Sequence, residues 1–238
     1  MRDGKMKLAL HFAPGACSRV PLIALEEIGQ PFDGHLVTFM KGEHRAPDYL
    51  ALNPAGKVPT LVAEGQPLTQ NVAILSFLAR SFPGAGLLPF TGDALGDARL
   101  VSQLSFFSAD LHPIVTRIRL PQFFCDVAGG PERVREMADA AMSQQLGPLD
   151  SRLATQPWLL GAEWSILDAY LHWVWFRITG AGFLREKFPN IAAHAKCMEE
   201  RPAVKRALAR EAQAEADLEA KGLAVRFEKM AGAPEARR

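Results

Sequence analysis

The apolar residues of this 238-residue chain change period near Pro89. Before that point they come as strand-length runs alternating with helical ones: Leu8 to Phe12, Arg19 to Ile28, then His35 to Thr38, punctuated by Pro-Gly and Gly-Gln-Pro. Val58 to Val62, Glu64-Gly65 and Pro67-Leu68-Thr69 read as a hairpin turned by the glycine. Asn71 then opens a stretch in which Val72, Ile74, Leu75 and Leu78 fall near helical spacing. The order is β, α, β, α, β, β, α, which makes a small α/β unit.

From Phe82 to Asp93 the chain is rich in Pro and Gly, has no period and reads as a linker. Beyond it the spacing is helical. Leu100, Leu104, Phe107, Leu111 and Ile114 recur at three and four; Pro131 follows Gly129-Gly130 as a first helical residue; Ser165 and Asp168 have capping-box spacing ahead of an aromatic helix with Tyr170, Trp173 and Trp175. From Ala203 the residues are mostly Ala, Glu, Lys and Arg, the composition of a solvated helix. The expected organisation is an α/β unit over 6–89, an all-helical unit over 94–225 and a disordered tail over 226–238.

Twenty-seven Lys and Arg against 26 Asp and Glu leave a net charge of +1, without the basic footprint that nucleic acid or anionic lipid requires. Cys17, Cys125 and Cys197 are too widely spaced for a disulfide framework or a zinc site, and Cys17 has Val20 three residues on rather than a second thiol. These features, with an N-terminus too short and interrupted for a signal peptide or membrane span, predict a reduced cytoplasmic protein that binds neither nucleic acid nor membrane and needs no metal. Cys125 and Cys197 read as structural.

Three segments carry a family likeness: Pro14-Gly15-Ala16-Cys17-Ser18 after the first strand, Asn53-Pro54-Ala55-Gly56-Lys57-Val58-Pro59 before the third, and Leu68-Thr69-Gln70-Asn71-Val72-Ala73-Ile74. With Leu111-His112, Trp158-Leu159-Leu160-Gly161 and Ser165 to Tyr170, in that order and spacing, the chain resembles bacterial beta-class glutathione transferases. The resemblance implies a thioredoxin-like N-terminal domain followed by an all-α helical bundle, a homodimer, and glutathione as co-substrate. Phe12 stands where the beta class often has Tyr, and Ser105 where it often has Asn.

The chemistry expected of each residue follows. A Val58-Pro59 bond that is cis, as in this fold family, turns the Val58 backbone toward a groove where an extended peptide pairs as an added strand; the resemblance implies that glutathione is that peptide. Gln70-Asn71 begins a helix, whose unpaired N–H groups and positive dipole end suit the γ-glutamyl carboxylate. Lys41 and Lys57 are candidates for the glycyl carboxylate, and Ser105 for a further glutathione contact. Cys17 and Ser18 open a helix, a position that lowers a thiol pKa, and the resemblance implies that Cys17 stabilises the glutathione thiolate or forms a mixed disulfide with it, with His112 as donor or base. Phe12, Phe107 and Trp175 are candidates for an apolar substrate pocket. The expected activity is conjugation of the glutathione thiolate to a small hydrophobic electrophile; the alternatives are glutathione-dependent reduction of disulfides or peroxides through Cys17, and a non-catalytic module that binds glutathione or a partner.

Overall fold

The strand-length runs pair into one sheet in a computed structural model that describes residues 6–224. β1 (Leu8–Phe12) runs parallel to β2 (Asp33–Leu36) and antiparallel to β3 (Thr60–Ala63); β4 (Gln66–Thr69) folds back on β3, giving the order β2-β1-β3-β4. A parallel pair needs a crossover, and α1 (Arg19–Ile28) supplies it. Glu64 and Gly65 turn the hairpin with φ of 50° and 78°, the left-handed pair that matches the twist of the flanking strands.

β2 lies two residues earlier than its apolar run suggests. Its register is set by β1, with Ala9 opposite Asp33 and Phe12 opposite Leu36, and beyond it the Thr38 N–H leaves the sheet to donate to the Glu43 carboxylate at 2.7 Å. The helix expected between β2 and β3 is short: α2 (Pro47–Leu52), started by Pro47 after two 3₁₀ turns. α3 (Asn71–Ser81) then buries Ile74, Leu75 and Leu78.

The segment read as a linker is anchored. Leu87 and Leu88 are buried, and the Leu87 carbonyl accepts from Ile166 N at 2.8 Å, tying the segment to the helical half.

That half comprises α4 (Ala94–Ser105), α5 (His112–Arg119), α6 (Gly130–Leu153), α7 (Ile166–Thr179), α8 (Pro189–Glu200) and α9 (Pro202–Ala220). Between α4 and α5 the backbone widens into a π-helical turn, Phe106–Leu111. Pro113 follows directly; it has no N–H to give to a preceding carbonyl, so regular α-helical bonding cannot run through it. α7 is the axis of the bundle, with Ile166, Leu171, Val174 and Ile178 fully buried. The expected capping box is present at its start, and Asp168 is completely buried, accepting from Ser165 N at 2.8 Å and Leu159 N at 2.9 Å with His194 Nε2 2.9 Å away.

α9 is not the solvated helix its composition suggests. Ala203, Val204, Ala207, Ala214 and Leu218 are buried, and α9 packs along α1. Its charges find partners there: Arg206 and Arg210 both donate to Glu26, and Glu211 accepts from Arg19. Small alanines allow the close approach, and the salt bridges satisfy the ends of the long side chains. The tail expected over 226–238 lies outside the described residues. Among the described residues no helix is long and apolar enough to cross a membrane.

Candidate active site

β1 ends at Phe12, and the next six residues turn the chain into α1. Gly15 holds φ of 69°, and Ser18 closes the turn, its Oγ accepting from Ala13 N at 3.2 Å and donating to Ala13 O at 3.1 Å. Ser18 is therefore fully buried and shapes the loop from within, rather than facing a ligand. The neighbouring Cys17 is the side chain that the turn brings to a cavity.

Cys17 lines a cavity of about 320 Å³ together with Lys57, Val58, Pro59, Gln70, Asn71 and His112. Four segments far apart in sequence thus meet at one place. Val58 and Pro59 are joined by a cis peptide, and the Val58 carbonyl accepts from the Cys17 thiol at 3.6 Å. The strand entrance is held from behind by Asn53 and Tyr49, both donating to the Lys57 carbonyl at 2.7 Å. Gln70, at the start of α3, has φ of 70°, a conformation that is strained for a residue with a Cβ and that collects at ligand-binding sites. Its side chain makes no cap hydrogen bond, so the first N–H groups of α3 have no side-chain cap from Gln70.

Asn71 is buried, with Nδ2 donating to Cys17 O at 3.1 Å and to Tyr170 Oη at 3.3 Å. Its Oδ1 has no partner among the described residues. Tyr170 also reaches the cavity, a site residue that its position in an aromatic helix did not reveal. The available signal was its hydroxyl, which needs a polar partner when the surrounding helix is apolar.

The charge state of Cys17 differs from the expectation. Burial pushes its thiol up to about 12; its own backbone N–H, Arg177, Asn71 and Lys57 act in the opposite direction without overcoming the loss of water. The helix N-terminus is present, but desolvation outweighs it. His112 is held down to about 4 by burial, then by the charges of Arg177 and Lys57, and its ring packs edge-on to Trp173 with centroids 4.6 Å apart. At neutral pH it is an uncharged imidazole and a weak base.

Other expected residues lie elsewhere. Lys41 is exposed on a 3₁₀ turn and does not line the cavity. Ser105 ends α4, where its carbonyl accepts from Ser108 Oγ at 3.3 Å, and it is Ser108 that lines the cavity. Phe12, Phe107 and Trp175 are core residues: all three are buried, Phe107 stacks on Tyr170 at 5.5 Å, and Trp175 packs edge-on to Phe188. Cys197 is exposed on α8, so its surroundings do not make it a packing residue. Among the described residues no three His, Cys, Asp or Glu side chains group to hold a metal ion.

Residues 15–81 match the family model described as Glutathione S-transferase, N-terminal domain, and residues 132–197 the one described as Glutathione S-transferase, C-terminal domain. Glutathione S-transferase GstA of Escherichia coli O157:H7 is 32% identical over 206 residues, covering 86% of this chain and 98% of that protein. Maleylacetoacetate isomerase of Pseudomonas aeruginosa is 30% identical over 205 residues, 85% of this chain and 95% of its own. Among solved structures, the bacterial beta-class glutathione S-transferase of Sphingomonas chungbukensis aligns with a TM-score of 0.75 at 33% identity, over 85% of this chain and 98% of that one. A sphingomonad glutathione S-transferase complexed with glutathione aligns with a TM-score of 0.75 at 32% identity, over 86% and 98%. Both family models fall in chain order on the two units that the fold separates, the thioredoxin-like sheet and the helical bundle. Since relatives match over almost their whole length, the chain belongs to the glutathione S-transferase family of transferases.

Proposed function

We propose that the chain binds glutathione in the Cys17 cavity and transfers its sulfur to a small electrophile, with residues 6–89 holding the glutathione and residues 94–225 shaping the second substrate's site. The observation that carries this reading is the meeting of the Val58-Pro59 backbone, the α3 N-terminus at Gln70-Asn71 and Cys17 around one cavity. Each suits one part of the peptide: an open strand edge for the cysteinyl backbone, helix N–H groups for the γ-glutamyl carboxylate, and Lys57 for the glycyl carboxylate.

In this reading Cys17 and His112 position the glutathione sulfur rather than attack the electrophile themselves. A thiol raised to about 12 is protonated at neutral pH and is a poor nucleophile, which favours conjugation by the glutathione sulfur over reduction through Cys17. The protein acts as a cytoplasmic homodimer in this proposal, and light scattering reads its mass in solution.

The test is titration calorimetry with glutathione, joined to turnover of glutathione with 1-chloro-2,4-dinitrobenzene. Binding with measurable conjugation supports the proposal. Binding with disulfide reduction but no conjugation moves the chemistry to Cys17, and no binding overturns the reading.

A further inference from the structure

The loop from Ala13 to Ala16 also lines a second cavity, about 340 Å³ in volume and walled by apolar Val37, Phe39, Phe176 and Leu218. Three arginines line it from three elements: Arg19 of α1, Arg119 of α5 and Arg177 of α7. Arg19 is neutralised by Glu211 at 2.6 Å, and Glu211 spends its other oxygen on Gly15 N at 3.2 Å. The remaining acidic side chain at the lining is Glu215, exposed at the rim.

Arg177 bears on the cysteine loop. A Cβ built on Gly15 would lie 3.1 Å from its Nη1, so the guanidinium rests against the loop that carries Cys17. Its charge acts on both the Cys17 thiol and His112. Among the described residues no carboxylate or carbonyl accepts a hydrogen bond from its guanidinium. A guanidinium held against apolar walls without a hydrogen-bonded anion is costly, and its planar fork matches a carboxylate.

We propose that this cavity is the site of an acidic electrophile, whose carboxylate pairs with Arg177 while its apolar body lies against Phe176 and Leu218. The inference rests on the glutathione-transfer reading and names its substrate class. Burial, then the like charges of Arg119 and Arg19, lower Arg177 to about 9 against the opposite pull of Glu211, which still leaves it cationic at neutral pH. An anion removes that penalty, so acidic substrates are favoured over neutral ones of equal shape.

The test uses 4-chloro-3,5-dinitrobenzoate and the matching benzamide. In both, the glutathione sulfur bonds to the ring carbon bearing chlorine, the C–Cl bond breaks with its electron pair leaving as chloride, and the thiol proton goes to solvent. Each kcat/KM is divided by the uncatalysed rate, so that only the enzyme's preference remains. The expected result is a benzoate-to-benzamide ratio above about tenfold, which drops by about tenfold or more in Arg177→Met through KM and is partly restored in Arg177→Lys.

A wild-type ratio at or below one, or a ratio that Arg177→Met leaves unchanged, overturns the proposal. Calorimetry with unreactive 3,5-dinitrobenzoate separates it from the parent reading. Benzoate binding that is lost in Arg177→Met upholds the anion site even where glutathione fails to bind, whereas glutathione binding without benzoate binding sinks the anion site alone.

Discussion

The side-chain amide of Asn71 donates to the Cys17 carbonyl at 3.1 Å, joining the start of α3 to the start of α1. The same Nδ2 reaches Tyr170 of α7, so one amide ties the starts of both helices to the bundle. Removing it leaves the buried Tyr170 hydroxyl without this donor and the Cys17 carbonyl with Val20 N alone, at 3.2 Å. Asn71→Ala is expected to lower stability by about 1–3 kcal/mol in urea titrations and to weaken glutathione binding in calorimetry. Unchanged values for both would remove Asn71 from the site.

Cys17 should be the slow thiol. With its pKa pushed up to about 12 it stays protonated at pH 7, while Cys197 stands exposed on α8. Treatment with a disulfide reagent followed by mass mapping is expected to label Cys197 first. Cys17→Ala should keep conjugation within about tenfold of the parent, since the nucleophile belongs to glutathione; complete loss would make Cys17 the reacting group.

Acid should loosen the bundle through His172. It is fully enclosed in α7, and burial, then the charges of Arg19 and His194, hold it down to about 3 from an ordinary 6.5. The unfolded chain therefore binds a proton that the folded chain refuses, and stability present above pH 6.5 is lost as pH falls toward 3. The slope is about 1.4 kcal/mol per pH unit for each such histidine, and His112 adds to it down to about 4. Urea midpoints from pH 7.5 to 4.5 should fall more gently in His172→Phe than in the parent.

Asp168 gathers the start of α7, Leu159 and His194 around one buried carboxylate. Asp168→Ala leaves Ser165 N and Leu159 N without their acceptor and should destabilise the fold by about 3–5 kcal/mol in urea titration. A loss under 1 kcal/mol would mean that the network contributes little beyond its packing.

The sequence made the larger plan legible because a hydrophobic period survives whatever surrounds it. Strand-length runs before Pro89 and spacings of three and four after it gave the sheet and the bundle. Residues whose role depends on a distant partner were less legible. Phe12, Phe107 and Trp175 have the spacing of a pocket wall and of a core alike, and only their burial separates the two. β2 departs from its apolar run because its edge position leaves its register to β1. Cys17, Asn71 and His112 do share a cavity, yet the thiol's charge state turns on lost water, which no local motif reports. Arg177 is a single cation in an aromatic helix, and its meaning depends on Glu211 being hydrogen-bonded to Arg19.

That Arg19–Glu211 pair spans 192 positions of the chain. Synthesis runs from the N-terminus, so the strands and α1 leave the ribosome long before α9 exists. Until then Arg19 has no counterion and the Gly15 N–H no acceptor, and the cysteine loop lacks its final electrostatic setting. A nascent chain can complete its sheet early, but its cysteine loop takes its final setting only once α9 has been made.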